Sequence, residues 1–138
     1  MGREPRLKDG ISWERITGTI IPELVPKESQ TSATIFKYNN FYHMLFSFRH
    51  GVNFREKKDL GYRIGYAKSK DLMTWERNDE ILNLKVSSHG WDSEMICYPH
   101  LFKLNGEINL LYSGNYFGKS GFGLAQLDIE DKSNIKVL

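Results

Sequence analysis

An internal repeat constrains this chain more than any other feature of its sequence. Three segments in the first half recur in the second half in the same order, at offsets of 62, 66 and 58 residues. The matched pairs are 9–15 with 71–77, 32–47 with 98–113, and 64–67 with 122–125. The last offset is shorter because the segment between Arg49 and Tyr62 is longer than its counterpart after Gly114. A repeat of this length predicts stacked supersecondary units that bury their apolar faces against one another.

The pattern within each unit is typical of β-strands. Segment 41–48 is rich in aromatic residues and almost continuously apolar, as a strand buried on both faces should be. Asn39-Asn40 and Asn105-Gly106 separate paired apolar runs, and such dipeptides accept the positive φ of a tight hairpin. The predicted strands are 32–38, 41–49, 62–69 and 73–78 in the first unit and 97–104, 107–114 and 122–128 in the second, with 135–138 as its candidate fourth.

Four strands in each unit favour an all-β fold, a β-propeller fragment made of two four-stranded antiparallel blades. We expect a single propeller-like domain over 1–138, with blade A at about 29–80 and blade B at about 90–138. Segment 9–16, with 11–16 as the strand itself, is expected to be the outer strand of a preceding blade. A β-sandwich is the alternative, but it does not require a four-strand internal repeat.

Composition and charge exclude several classes of partner. The net charge of +2 is too small to indicate a nucleic acid or an anionic membrane surface. No apolar run approaches the roughly 20 residues of a membrane helix, and no secretory signal is visible. Cys97, the single cysteine, has no partner for an internal disulfide. Localisation stays open, with the cytoplasm as the default expectation.

Several motifs give the chain a family resemblance. They are Tyr98-Pro99-His100-Leu101-Phe102, Leu111-Tyr112-Ser113-Gly114, Arg63-Ile64-Gly65-Tyr66-Ala67, and the Asp-x-x-x-Trp segment 71–75. This pattern resembles the five-bladed propellers of the glycoside hydrolases, relatives of invertase, levansucrase and arabinanase. The resemblance runs from Asp9 to about Leu127 and accounts for about two of the five blades. It implies a carbohydrate ligand and glycosidase chemistry.

Glycoside hydrolysis needs two carboxylic groups, one as acid and one as nucleophile or base. In the invertase relatives the acid is a Glu two residues before the strand's Pro, a position that Cys97 occupies here. The resemblance therefore points to nearby Glu94 as the general acid and Asp92 as its modulator or as an acceptor for a sugar hydroxyl. The alternative is that both belong to a solvated turn between blades. Blade A offers no second carboxylate at its opening apart from Glu28.

Six residues are candidates for binding substrate. Arg49 and His50 end the second strand of blade A, Asn115 occupies the matching place in blade B, and Arg63 can join them. Arg55 could assist these six. Trp91 has no repeat partner and stands beside the acidic pair, so it is a candidate for stacking on a sugar, and His100 is either a ligand or a core histidine. The repeat-related Trp13 and Trp75 are expected to pack blade edges, and His43 to pack within its strand.

Two further functions compete with hydrolysis. A non-catalytic module of the same architecture could bind glycan or serve as a scaffold, whereas a protein-interaction propeller is disfavoured because no Gly-His or Trp-Asp signature recurs. The spacing of His89, Cys97 and His100 predicts no metal site, and no motif predicts a cofactor. We also expect either missing blades or a homo-oligomer in which segment 11–16 completes blade B of a neighbouring copy.

Overall fold

Eight strands form two four-stranded antiparallel sheets in a computed structural model that describes residues 9–128 and 136–137. Within each sheet, strands that are consecutive in sequence are neighbours. Sheet A contains β1 (Ser29–Tyr38), β2 (Phe41–Arg49), β3 (Arg63–Ser69) and β4 (Glu76–Arg77). Sheet B contains β5 (Cys97–Leu104), β6 (Glu107–Ser113), β7 (Phe122–Asp128) and β8 (Lys136–Val137). This arrangement confirms the predicted all-β fold of two four-stranded blades.

The two hairpins that open the sheets have the same turn. Asn39 and Asn40 join β1 to β2 with φ values of 49° and 63°, and Asn105 and Gly106 join β5 to β6 with φ values of 52° and 82°. Two consecutive residues with positive φ make the turn whose twist matches that of the flanking strands. The Asn and Gly residues therefore set the strand register that the sequence predicts.

The first strand of each sheet carries a β-bulge at equivalent positions. The register shifts between Thr31 and Thr34 in β1, and between Cys97 and His100 in β5. Ser32 and Tyr98, which are repeat partners, adopt φ values of 53° and 56° there. The N–H group of Tyr98 is freed from its own sheet and donates a hydrogen bond to Oγ of Ser47 at 2.8 Å. One bulge thereby joins sheet B to sheet A.

The two sheets pack face to face around a shared apolar core. This core joins residues of β2 and β3 to residues of β6 and β7, with two linker residues between them: Leu45, Ile64, Tyr66, Leu110, Tyr112, Leu127, Leu82 and Ile96. His43 is also fully buried, and its Nδ1 lies 2.9 Å from the Tyr66 hydroxyl, which agrees with its predicted packing role. Leu82 belongs to a short 3₁₀ helix (Asp79–Leu82), so the linker fills the space between the sheets instead of looping away.

The repeated Asp-x-x-x-Trp segments form the same turn in both copies. The Asp71 carboxylate accepts hydrogen bonds from the N–H groups of Met73 and Thr74. The Asp9 carboxylate accepts the same pair from Ile11 and Ser12. Such turns use a short acidic side chain to satisfy the backbone two and three residues ahead. Because Met73 and Thr74 belong to this turn, β4 contains only Glu76 and Arg77 and is shorter than the predicted strand 73–78.

Residues 11–16, expected to be the outer strand of a preceding blade, form no strand within the described residues. The Asp9 carboxylate binds the N–H group of Ile11 at the start of this segment, and the assignment to a preceding blade stays a prediction. Blade B also has a fourth strand of its own, since β8 pairs with β7 through Leu127–Val137 and Asp128–Lys136. Because β8 pairs only with the last two residues of β7, it does not occupy the rest of that edge, and the exchange of segment 11–16 into blade B of a neighbouring copy stays a prediction.

Candidate functional site

The candidate residues gather at the end of the sheets where β1 and β5 begin. At this end the loop 50–62 joins β2 to β3, and the loop 114–121 joins β6 to β7. Segment 90–96 leads into β5 at the same place. A four-residue helical turn (Asn115–Gly118) belongs to the second loop. Strand polarity thus brings Glu94, Arg49, His50, Arg63 and Asn115 to one edge of the sheets.

Four aromatic rings form a layer across this edge, which we call the aromatic layer: Phe54, Tyr62, Tyr98 and Phe117. Buried Tyr62 is its centre, with ring centroids 6.1 Å from Phe54, 6.2 Å from Tyr98 and 5.8 Å from Phe117. Tyr98 and Phe117 are exposed, so part of the layer faces solvent. Aromatic faces that are held in place and exposed are suited to stacking on flat apolar surfaces.

Backbone strain concentrates around the exposed part of this layer. Tyr98, Tyr116 and Phe117 have φ values of 56°, 55° and 59°. Bulky residues rarely adopt the left-handed region, and strained conformations of this kind cluster at ligand-binding sites. The fold therefore holds three aromatic side chains in positions that local preference alone would not select.

Glu94 is ion-paired, which determines its protonation. Its Oε1 lies 2.7 Å from Nζ of Lys58, and its side chain is 21% exposed. The hydrogen bond from Lys58 lowers the pKa of Glu94 below its ordinary value, and Tyr116 acts in the same direction. A general acid at neutral pH requires the opposite shift, toward a raised pKa. In this arrangement Glu94 is an ionised acceptor, suited to a hydroxyl group or to a role as base.

Asp92 lies in the core between the sheets. Its side chain is buried and accepts a 3.2 Å hydrogen bond from the Tyr112 hydroxyl. Burial, followed by the charge of Asp92, raises the pKa of Tyr112 to about 12, so the hydroxyl remains a donor over the physiological range. Asp92 thus fixes the linker against β6, and this contact differs from the expected role beside a sugar.

Asn115 is committed to holding the Glu94 turn. Its Oδ1 accepts hydrogen bonds from the N–H groups of Glu94, at 2.7 Å, and Met95, at 3.1 Å. Its Nδ2 donates to the Gly90 carbonyl and to Ser93 Oγ. The side chain is buried and all its polar atoms are engaged. Asn115 therefore positions Glu94 from behind, in place of the direct sugar contact that the sequence suggested.

Arg63 is similarly occupied. Its Nη1 donates to the carbonyl groups of Tyr62 and Glu94, at 2.8 and 2.9 Å, and its Nη2 donates to that of Lys58 at 3.0 Å. Because the guanidinium bridges both partners of the Lys58–Glu94 pair, it holds the loop 50–62 against the segment before β5. No ion pair between Arg63 and Glu56 or Asp59 is found among the described residues.

Arg49 is held by aromatic rings and has few polar partners. Its guanidinium carbon lies 3.8 Å from the Phe54 ring centroid and 5.6 Å from that of Tyr62. Its Nη1 donates to the carbonyl oxygen of His50 at 2.9 Å. Its Nε is buried without a hydrogen-bond partner. His50 is half-buried, and its N–H group donates to the Leu60 carbonyl, which closes the loop 50–62.

Trp91 packs within the fold. Its indole stacks on Tyr112 with ring centroids 5.5 Å apart and fills the space beside Gly114 and Gly123. A Cβ atom at either glycine would lie 2.4 Å from the indole ring, so both positions require glycine for close approach. This packing accounts for the half-buried Trp91 without a sugar. His100 lies farther along β5, is exposed, and stacks on Phe102.

The aromatic layer and Lys58 are the features that the sequence analysis missed. One signal was available, since the loop 50–62 is eight residues longer than its repeat counterpart and supplies both Phe54 and Lys58. Within residues 9–128 and 136–137, no group of three or more His, Cys, Asp or Glu side chains is arranged to hold a metal ion. No helix in the same residues has the length and apolar character needed to cross a bilayer.

Comparison with known proteins identifies the fold of this chain but does not assign it to a family. No family model matches the chain. The uncharacterized proteins MT1551 and Rv1502 of Mycobacterium tuberculosis (strains CDC 1551 and H37Rv) are each 45% identical over 67 residues, which cover 49% of this chain. The match spans only 22% of the length of these relatives.

Solved structures match a larger part of the chain. A glycoside hydrolase superimposes with a TM-score of 0.61 at 20% identity, over 86% of this chain and 32% of its own. Zg3597, a family 117 glycoside hydrolase of Zobellia galactanivorans, gives 0.59 at 13% identity, over 80% and 38%. An exo-1,5-alpha-L-arabinanase from a bovine ruminal metagenomic library gives 0.55 at 8% identity, over 80% and 39%. The chain has the fold of a propeller fragment and spans about a third of these neighbours.

Proposed function

We propose that this chain supplies two blades of a five-bladed propeller of the glycoside hydrolase type, and that the site at its loop edge binds a carbohydrate. The observation that supports this most is the aromatic layer beside Glu94. Its exposed rings, Tyr98 and Phe117, offer surfaces for the apolar face of a sugar, and Glu94 offers an ionised acceptor for a hydroxyl group.

Catalysis is the more demanding part of the proposal. Glu94 is the carboxylate proposed to take part, and a second carboxyl group roughly 5–10 Å away is needed for either stereochemical course. Asp92 is bound to Tyr112 in the core, so we propose that the second group comes from another part of the assembled propeller. If the ligand displaces Lys58 from Glu94, the pKa of Glu94 rises toward its ordinary value and the group gains acid character.

The second candidate function is a non-catalytic glycan-binding or scaffold module. The Lys58–Glu94 ion pair favours it, since a carboxylate held by an ammonium is a stable acceptor and a poor proton donor. The two functions differ in one measurable property, which is turnover of a sugar that the protein binds.

Glycan-array binding and hydrolysis of aryl glycosides, measured on the same preparation, test the proposal. We expect binding to at least one glycan class. If Glu94 is catalytic, Glu94→Gln abolishes turnover and leaves the thermal midpoint nearly unchanged, while Glu56→Gln, an exposed neighbour in the loop 50–62, retains full activity. Binding without turnover assigns the module to the non-catalytic class. Absence of binding to every glycan contradicts the proposed function.

A further inference from the structure

Arg49 carries the one buried side-chain nitrogen or oxygen among the described residues that has no hydrogen-bond partner. Nη1 of the guanidinium donates a hydrogen bond to the His50 carbonyl oxygen. Nε and Nη2 have no hydrogen-bond partner within the described chain. These two nitrogens form one edge of the planar group, the edge that can bind a carboxylate side-on through two parallel hydrogen bonds. Buried donors in native proteins nearly always have a partner, and the described protein atoms supply none for Nε of Arg49.

The surroundings of Arg49 supply no carboxylate. Three ion pairs are found within residues 9–128 and 136–137, and their cations are Lys58 and Arg77. No Asp or Glu oxygen of these residues therefore lies within 4.0 Å of the Arg49 guanidinium. A second guanidinium, that of Arg55, lies 4.6 Å from the Phe54 ring centroid and also lacks an acidic partner there. Arg49 and Arg55 therefore both contact the Phe54 ring, and neither is paired with an acidic side chain of the described residues.

The charge of the surrounding segment reinforces this excess. Segment 49–63 contains five cationic side chains against two acidic ones. The cations are Arg49, Arg55, Lys57, Lys58 and Arg63, and the acids are Glu56 and Asp59. Lys58 is neutralised by Glu94, and Arg63 is bound to carbonyl groups, so neither provides the free fork that Arg49 does. The local field attracts an anion to the edge where the aromatic layer is exposed.

We propose that the site recognises a sugar that carries a carboxylate, with the carboxylate on the Nε–Nη2 edge of Arg49 and the sugar ring against Tyr98. Tyr62 connects the two positions, since its ring lies 5.6 Å from the Arg49 guanidinium carbon and 6.2 Å from the Tyr98 ring. Arg49 is held by ring contacts and one hydrogen bond, and the proposal requires that its buried Nε become accessible to the carboxylate. This inference rests on the proposed function and specifies its substrate class.

The test is an NMR titration of the 138-residue chain with methyl glycosides that differ only in oxidation at C6. Methyl galacturonide and methyl glucuronide are compared with methyl galactoside and methyl glucoside. A charge-assisted bidentate contact should make the acidic sugar bind about 10- to 100-fold more tightly at low ionic strength. Arg49→Gln should bring the ratio close to 1, and Arg49→Lys should restore only a small part, because an ammonium lacks the fork.

The matched control is Lys70→Gln, which removes one exposed cation at the opposite end of β3 and should keep the wild-type preference. Thermal midpoints of all variants show whether each is folded. Equal affinity for acidic and neutral sugars overturns this inference and leaves the proposed function standing. A preference that survives in folded Arg49→Gln also overturns it. If none of the four glycosides binds, this inference fails, and the glycan array then decides the proposed function separately.

Discussion

The two repeat-related tryptophans lie in the same local turn but differ in their tertiary contacts. Trp13 and Trp75 follow the same aspartate turn, with a positive φ at Gly10 (73°) and Leu72 (64°). Trp75 is 8% exposed and packs against Ile21, Met44, Phe46 and Ala67, whereas Trp13 is 79% exposed. The sequence predicted a packing role for both, and the structure provides the partner surface for Trp75 alone.

Unfolding experiments on matched alanine variants can measure this difference. Trp75→Ala should lower the free energy of unfolding by about 3–5 kcal/mol, as loss of a buried aromatic side chain does. Trp13→Ala should change it by less than about 0.5 kcal/mol, because the side chain loses little contact. Urea denaturation followed by circular dichroism gives both values. Equal losses for the two variants would show that Trp13 is buried in solution.

Individual residues of the site were less predictable than the tryptophans. The Glu94 carboxylate was found through its place before β5, but its partner Lys58 lies in the loop 50–62, which has no repeat counterpart to fix it. Asn115 and Arg63 were identified as polar residues at the correct edge, yet their hydrogen bonds to Glu94 depend on tertiary packing. Periodicity and repeats locate an edge of a sheet, whereas the contacts made there depend on loops whose conformation is not periodic.

At the scale of strands, the prediction succeeded where a turn fixes the register. The bounds of β2 and β5 equal the predicted ones, because the Asn39-Asn40 and Asn105-Gly106 hairpins define where each strand begins or ends. The bulges were missed, since neither Ser32 nor Tyr98 is a residue that favours positive φ. The bulge in sheet B matters for assembly because the N–H group of Tyr98 bonds to Ser47 of sheet A.

The hydrogen bond at the second bulge is open to a paired test. Ser47→Ala removes the acceptor for the Tyr98 N–H, and loss of this partly buried hydrogen bond should reduce the unfolding free energy by about 1 kcal/mol. Its repeat partner Ser113 is half-buried, and Ser113→Ala should have a much smaller effect. Thermal or urea denaturation decides the matter. An equal effect of the two substitutions would contradict a special role for Ser47.

A buried ion network ties the start of β1 to β4. Arg77 contacts Glu28 and Asp79, and both its own side chain and that of Glu28 are shielded from solvent. Burial alone would raise the pKa of Glu28, but hydrogen bonds from Arg77, Gln30 and the Leu24 N–H together lower it below its ordinary value of 4.5. The stabilisation is therefore complete above about pH 4.5 and is lost as the pH falls through the lowered pKa of the folded protein.

Substitution of Glu28 should expose this network. Glu28→Gln leaves Arg77 with Asp79 alone, so the loss should lie toward the lower end of the about 3–5 kcal/mol typical of a broken buried pair. The variant should also lose part of the pH dependence of stability below about pH 4.5. Glu23→Gln, an exposed neighbour, is the control. An unchanged pH profile in Glu28→Gln would show that other carboxylates cause the acid sensitivity.

At the scale of the whole molecule, the repeat shows which surfaces are incomplete. Tyr66 and Ile64 are 0% and 3% exposed beneath sheet B, while their repeat partners Leu124 and Phe122 are 64% and 72% exposed. Both partners are on β7, within the face that corresponds to the covered face of sheet A. A blade therefore has two apolar faces that need neighbours, and the sequence predicted this correctly through the almost continuous apolar character of its strands.

An apolar face of this kind should make the 138-residue chain self-associate when it is produced alone, because copies can stack face to face as blades A and B do. We expect light scattering at micromolar concentration to give a mass above 16.1 kDa that increases with concentration. Leu124→Glu places a charge in the centre of the open face and should shift the distribution toward monomer. Val52→Glu, at an exposed position in the loop 50–62, should leave association unchanged.

A concentration-independent monomer would contradict stacking through this face. In that case the exposed Leu124 and Phe122 would be tolerated in solution, and the apolar pattern of β7 would reflect a neighbouring blade in a longer polypeptide.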